Sequence, residues 1–168
     1  MTRVFLAIML MVLIGEPALS QPQSWAQVAE TFGCTQQIQN TPPSGNRPGQ
    51  LEFIPAGEPA NGWSRIFTVT LVAAPQDDAG ANEAVERLIQ SMRQTISSRG
   101  ARIAAFDVFR GNRGQIAFVE FVIGSEPNIA VIHRAGPGLL AIQQLATRGK
   151  APEGEDRRRL RALVGLRD

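Results

Sequence analysis

The chain of 168 residues has no tyrosine, one cysteine, one histidine and one lysine. Each scarcity excludes something. Cys34 alone cannot close an intramolecular disulfide, so the fold has to hold without covalent staples. One cysteine leaves no C-x-x-C and one histidine, His133, leaves no H-x-x-x-H, so no common zinc spacing is present. Lys150 is followed by Ala151, so no glycine-rich turn leads into the Gly-Lys-Ser/Thr of a phosphate loop. The turns Gly111-Asn112-Arg113-Gly114 and Gly136-Pro137-Gly138 read as hairpin turns instead. Seventeen basic residues against fifteen acidic ones give a net charge of +2, too small an excess to imply nucleic-acid binding. No motif implies a metal or a cofactor.

Long hydrophobic runs are also missing, with one exception at the start. Met1-Thr2-Arg3 is short and positive, Val4 to Ile14 is apolar throughout, and Gly15-Glu16-Pro17 breaks any helix. Ala18-Leu19-Ser20 then offers small residues at the positions a signal peptidase reads. The order is that of a secretory signal peptide over residues 1–20, cleaved before Gln21. The apolar run is shorter than the roughly 18 residues of a membrane span, so an uncleaved anchor is the alternative. Arginine, alanine, glycine and proline are plentiful, as in proteins of GC-rich bacterial genomes. The compartment expected is therefore a bacterial periplasm. Thr31-Phe32-Gly33 before Cys34 makes a poor lipobox, and an inert, partly buried thiol is expected.

The rest of the chain is of a size that makes one domain. Ser24 to Gly33 predicts a short helix, with Ser24 and Gln27 at capping-box spacing. Thr35 to Gln50 carries no apolar period and reads as a flexible loop, so residues 21–50 form an N-terminal helix and loop before a single α+β domain at residues 51–168. Leu51 to Ile54 and Trp63 to Ala73 predict strands. On the second of these, Trp63, Phe67, Val69 and Leu71 share one side, and Ser64, Thr68 and Thr70 the other. Asn82 is placed to cap a long helix with a stripe of Val85, Leu88, Ile89, Met92 and Ile96, and Gly100 to end it.

The period then switches to two. Ile103 to Arg110, Gln115 to Ile123, Ile129 to Arg134 and Leu139 to Ala146 predict a meander, although the last segment also suits a helix. Glu155 to Val164 predicts a final helix. Tight hairpins place Val108 opposite Ala117, Phe106 opposite Val119 and Phe121 opposite Val131. In that register both faces of the sheet are apolar, so both need cover. The expected architecture is α+β: an antiparallel meander sheet with helices on both faces, a three-layer sandwich.

The order strand-strand-helix-meander-helix, with Phe53-Ile54-Pro55, Gly57 and Trp63 in its opening, resembles the Mog1/PsbP-like group. What the resemblance implies is an accessory or binding protein without catalysis. It transfers no site residues.

Three sets of residues carry candidate chemistry. His133 is the only histidine for a nucleophile-histidine pair, and the register places it on the apolar face between Val119 and Leu140, away from carboxylates. Asp107, Glu120, Arg134 and Gln143 fall on the other face. They read as a buried ion pair, or as a polar ligand pocket or acid/base site. Arg157, Arg158, Arg159 and Arg161 make the last helix basic. They read as a solvated face balanced by Glu153, Glu155 and Asp156, or as a contact for anionic lipid headgroups or an acidic partner. The sequence thus leads to an exported, non-catalytic binding or accessory protein of the cell envelope, with another envelope protein or complex as partner. The alternatives are a small periplasmic enzyme or ligand binder and a peripheral subunit held by its leader.

Intact-mass measurement of the protein from a native periplasmic fraction should give a chain that starts at Gln21 or within a few residues of it. A full-length mass in the membrane pellet would reject cleavage and establish the anchored form.

Overall fold

Ser24 closes the first element. Its hydroxyl accepts the Gln27 N–H at 3.3 Å while its own N–H donates to the Gln27 side chain at 3.0 Å, which starts α1 (Trp25–Thr31). In this computed structural model the structure describes residues 24–44, 47–98, 100–111 and 114–166. The leader, Arg99, Asn112 and Arg113 lie outside the described residues.

Seven strands and two further helices follow: β1 (Gln36–Thr41), β2 (Gly49–Ile54), β3 (Arg65–Ala73), α2 (Asp78–Ser98), β4 (Arg102–Gly111), β5 (Gly114–Ile123), β6 (Glu126–Gly136), β7 (Leu139–Thr147) and α3 (Gly154–Leu163). The strands form one antiparallel sheet in the order β1-β2-β3-β7-β6-β5-β4. This is the α+β class and the meander that the alternation predicts. Leu139 to Thr147 is a strand, as the tight turn before it requires.

Alternate residues of a strand point to opposite faces, and the core divides accordingly. Ile116 and Phe118 of β5 pack with Val28 and Phe32 of α1 and Leu160 of α3. Their neighbours Ala117 and Val119 pack with Val85, Ile89 and Ile96 of α2. The α1/α3 side is the larger cluster, with Phe32 stacked on Phe67 at 5.0 Å between ring centroids.

Four expectations need correction. The loop expected over Thr35 to Gln50 contains β1, which pairs with β2 and makes this segment part of the sheet. It escaped periodicity because an edge strand buried on neither face has no reason to alternate; of its side chains, only Ile38 packs against a core cluster. The long helix begins at Asp78, not near Asn82, because Asp77 Oδ1 accepts the Gly80 N–H at 2.8 Å and so supplies the cap. Asn82 sits within the helix and accepts the Gln115 N–H at 3.2 Å.

The third correction is register. Phe106 lies opposite Val119 and Val108 opposite Ala117, as expected, but Phe121 lies opposite Asn128, and Val131 opposite Phe118. The β5–β6 turn is only Gly124-Ser125, since Glu126 and Pro127 already pair with Ile123 and Val122. An odd shift turns every β6 side chain to the other face. The fourth follows from the third. His133 lies on the α1/α3 side, opposite Ala141 rather than Leu140, and Arg134 lies on the α2 side.

The α2 seam should carry much of the stability. Ile89→Ala is expected to cost about 2–5 kcal/mol in chemical denaturation, as buried truncations do. Leu88→Ala, at a half-buried position, should cost clearly less. Equal losses would show that the two positions are equally enclosed.

Candidate ligand-binding cleft

A helix with its side chains is about 10–12 Å across and strands lie about 4.8 Å apart, so one helix covers two or three strands. α2 packs over β4, β5 and β6. Its face of the sheet continues past them, and the side chains change there. One row across the sheet reads Gln39, Glu52, Thr68, Gln144, Ala130, Val119, Phe106. The next reads Thr41, Gln50, Thr70, Ile142, Ile132, Ala117, Val108. Both rows turn from polar to apolar at or beside β7. Gln39, Gln50, Glu52, Thr68, Thr70 and Gln144 are all half-buried.

Where the two halves meet, alongside α2, lies a cleft of about 270 Å³. Leu88, Ser91, Met92 and Thr95 line its helix side at i, i+3, i+4 and i+7, joined by Ile96. Phe121, Ile123, Ile142 and Gln144 line its sheet side. On the far side of the helix, Arg93 lies 3.9 Å over the Phe106 ring and fastens α2 toward the β4 edge. None of the lining side chains is charged.

The polar half is internally directed. Gln39 Nε2 donates to Gln50 Oε1 at 3.4 Å, and Gln50 Nε2 donates to Glu52 Oε1 at 2.8 Å. Gln144 Nε2 donates to Asn128 Oδ1 at 2.8 Å. Each glutamine amide carries two hydrogens and each threonine hydroxyl both donates and accepts, so this face offers donors and acceptors together, with the Glu52 carboxylate as its one purely accepting group.

The residues singled out from sequence do not form one site. Glu120, Asp107 and Gln143 belong to the α1/α3 face, and Arg134 to the other. Glu120 accepts a two-pronged pair from Arg157 Nε and the second guanidinium nitrogen at 2.8 and 2.9 Å, tying α3 to the sheet. Arg134 bonds Asp78 at the start of α2 and donates to the Gln76 carbonyl at 2.6 Å. Asp107 is exposed on the edge strand. Gln143 is buried, and its Nε2 donates to His133 Nε2 at 2.6 Å. His133 Nδ1 lies 3.1 Å from the Arg134 carbonyl, so both ring nitrogens are engaged. Glu120 shares a face with His133, against expectation. It pairs with Ile129, four positions along β6, which is about 13 Å by strand rise and beyond proton transfer.

The basic helix is similarly occupied. Arg157 reaches Glu120, and Arg161 lies 5.0 Å over Phe109 and 5.6 Å over Phe118. Arg158 and Arg159 bond Glu155, and Arg159 also donates to the Thr31 carbonyl. The Arg158 guanidinium holds the Glu155 carboxyl below the usual carboxylate range. Among the described residues no three His, Cys, Asp or Glu side chains converge to hold a metal, and no helix is long and apolar enough to cross a membrane.

The cleft itself was not visible in sequence. Its one local signal is Thr68 and Thr70 on the second face of an otherwise apolar strand. Comparison with protein-family models, with curated proteins and with solved structures gives no match.

Burial pushes the Cys34 thiol up to about 11. At pH 8 the thiolate is then scarce and enclosed, so a disulfide reagent should leave the native protein unmodified and titrate one thiol in denaturant. Rapid native labelling would show that the α1 end opens.

Proposed function

We propose that this is an exported, non-catalytic binding protein of the bacterial cell envelope, and that its ligand occupies the cleft beside α2. The observation that carries the reading is the change of polarity at β7, directly beside an open cleft. An apolar cleft adjoining a few convergent polar groups is the usual form of a small-molecule site. Those groups are amides, hydroxyls and one carboxylate, which bind and orient. The groups better suited to acid, base or nucleophile roles are engaged elsewhere: Glu120 by Arg157, His133 by Gln143 and the Arg134 carbonyl, and Cys34 by burial. The leader supports export, and the resemblance of the opening segment to the Mog1/PsbP-like group supports a binding or accessory role. An accessory partner in the envelope would then meet a protein whose cleft is loaded or empty.

Native mass spectrometry of protein released gently from the periplasm tests this. The expected spectrum contains a non-covalent adduct, absent in Ser91→Trp, where the indole fills the cleft from an exposed helix position. A spectrum of bare chain, or an adduct that survives Ser91→Trp, would refute occupancy of the cleft.

A further inference from the structure

We infer that β4 pairs with the β4 of a second copy of this chain, antiparallel about a two-fold axis at Val108, so that two sheets become one.

β4 is an end strand of the sheet, and none of its residues is buried, whereas its neighbour β5 buries Ile116 to Val119. Among the described residues Val108 is the large apolar side chain left exposed, at 49%. An unpaired edge that carries such a side chain is a template for another strand. The backbone is directed accordingly. Gln115 gives its N–H to Asn82 rather than to Arg110, which lies opposite it. Arg110–Gln115 is therefore a non-hydrogen-bonded pair, and by alternation so are Val108–Ala117 and Phe106–Val119. The N–H and C=O groups of Phe106, Val108 and Arg110 thus point away from β5, to the open edge.

Symmetry selects the register. A chain pairs with itself most commonly about a two-fold axis, and each contact then occurs twice. An axis through a joined sheet keeps each face on its own side, so only residues that share a face lie opposite one another. The bulge between Ile103 and Ala105 limits the regular part of β4 to Ala105 through Gly111. The midpoint of that stretch is Val108. An axis there sets Val108 on Val108, Phe106 on Arg110, Asp107 on Phe109 and Ala105 on Gly111. No like charges lie opposite each other within this ladder. An axis at Asp107 would oppose two carboxylates, and one at Phe106 would run the ladder into the bulge and bring Arg102 toward Arg110. One at Phe109 would shorten the ladder and leave Val108 against Arg110. The other edge, β1, offers no such stretch. Its pairing is interrupted between Gln37 and Gln39, and apart from Ile38 its side chains are polar.

The layers leave room for the join. α2 packs over β4, β5 and β6. From β5 to the β5 of the second copy is three strand spacings, about 14 Å, and a helix with its side chains is about 10–12 Å across. The two α2 helices stand side by side on one face. Each cleft lies on the other side of its helix from Arg93 and Phe106, clear of the join.

Sedimentation equilibrium of the purified protein at rising concentration should approach twice the monomer mass. Val108→Lys sets two ammonium groups against each other and should weaken association about tenfold or more, with the thermal melt retained because the position is exposed. Val108→Glu should do the same. Mixed in equal amounts, the two variants should regain the dimer, because only at the axis does a residue meet its own counterpart. Val108→Cys should form an intermolecular disulfide on mild oxidation. Arg102→Cys, exposed on the same strand but far from its counterpart across the axis, should not, and Cys34 is buried. A monomer at every concentration, an equally strong dimer in Val108→Lys, a mixture that stays monomeric, or equal cross-linking at the two positions would overturn the inference.

Discussion

The burial of β5, β6 and β7 on both faces is the constraint from which the rest of the architecture follows. Ile116, Ala117, Phe118 and Val119 are consecutive, and all four are buried. So are Ile129, Ala130, Val131 and Ile132. A strand of this kind cannot lie on the surface of a sheet, because either face left wet would expose side chains worth about 1.5–3 kcal/mol each when fully buried. The chain meets the requirement with α2 against one set of alternate residues and α1 with α3 against the other. Glu120 is the charged residue within β5, and Arg157 of α3 neutralises it from the layer that buries it.

A single helix is narrower than a seven-stranded sheet, and that mismatch creates the cleft. Next to α2 the rows change from Ile132 and Ala130 to Thr70, Thr68, Gln50 and Glu52. In these two rows the face is apolar under the helix and polar beside it, and the neighbouring Ile54, Ile66 and Ala146 are packed with Ile38 and Trp63. Such a face needs no second helix, since amides and hydroxyls can remain wet. It also places apolar walls and hydrogen-bonding amides and hydroxyls within one strand spacing of each other, an arrangement suited to ligands that are themselves divided in this way.

The titratable groups show the reverse economy. The pairs Glu120–Arg157, Arg134–Asp78, Arg148–Glu126 and Glu155 with Arg158 and Arg159 join elements or brace α3. Glu120 joins the sheet to α3, Arg134 joins the sheet to the start of α2, and Arg148 joins the end of β7 to the start of β6. Most are partly exposed, so each contributes modestly and they matter more for orientation than for stability. Charge in this protein positions the layers, whereas the cleft is lined by neutral groups with one carboxylate nearby.

Local patterns determined a good deal. The Ser24/Gln27 capping box, the stripe from Val85 to Ile96 and the two-residue alternation after Gly100 are short-range signals, and the helices and strands follow them because backbone geometry enforces periods of 3.6 and 2. The hairpin from β4 to β5 also kept its register, with Gly111 opposite Gly114 and Val108 opposite Ala117. What the sequence could not determine was how distant segments meet. β1 is recognisable only by its pairing with β2, since a polar edge strand buries no alternating face. The register of β5 on β6 depended on whether Glu126 and Pro127 belong to a turn or a strand. That difference, an odd number of residues, moved Arg134 away from Glu120 and brought His133 to Gln143. The cleft lies further still from local reading: it exists because a helix of fixed width rests on one half of a wider sheet, and width is a property of packed elements rather than of any stretch of chain.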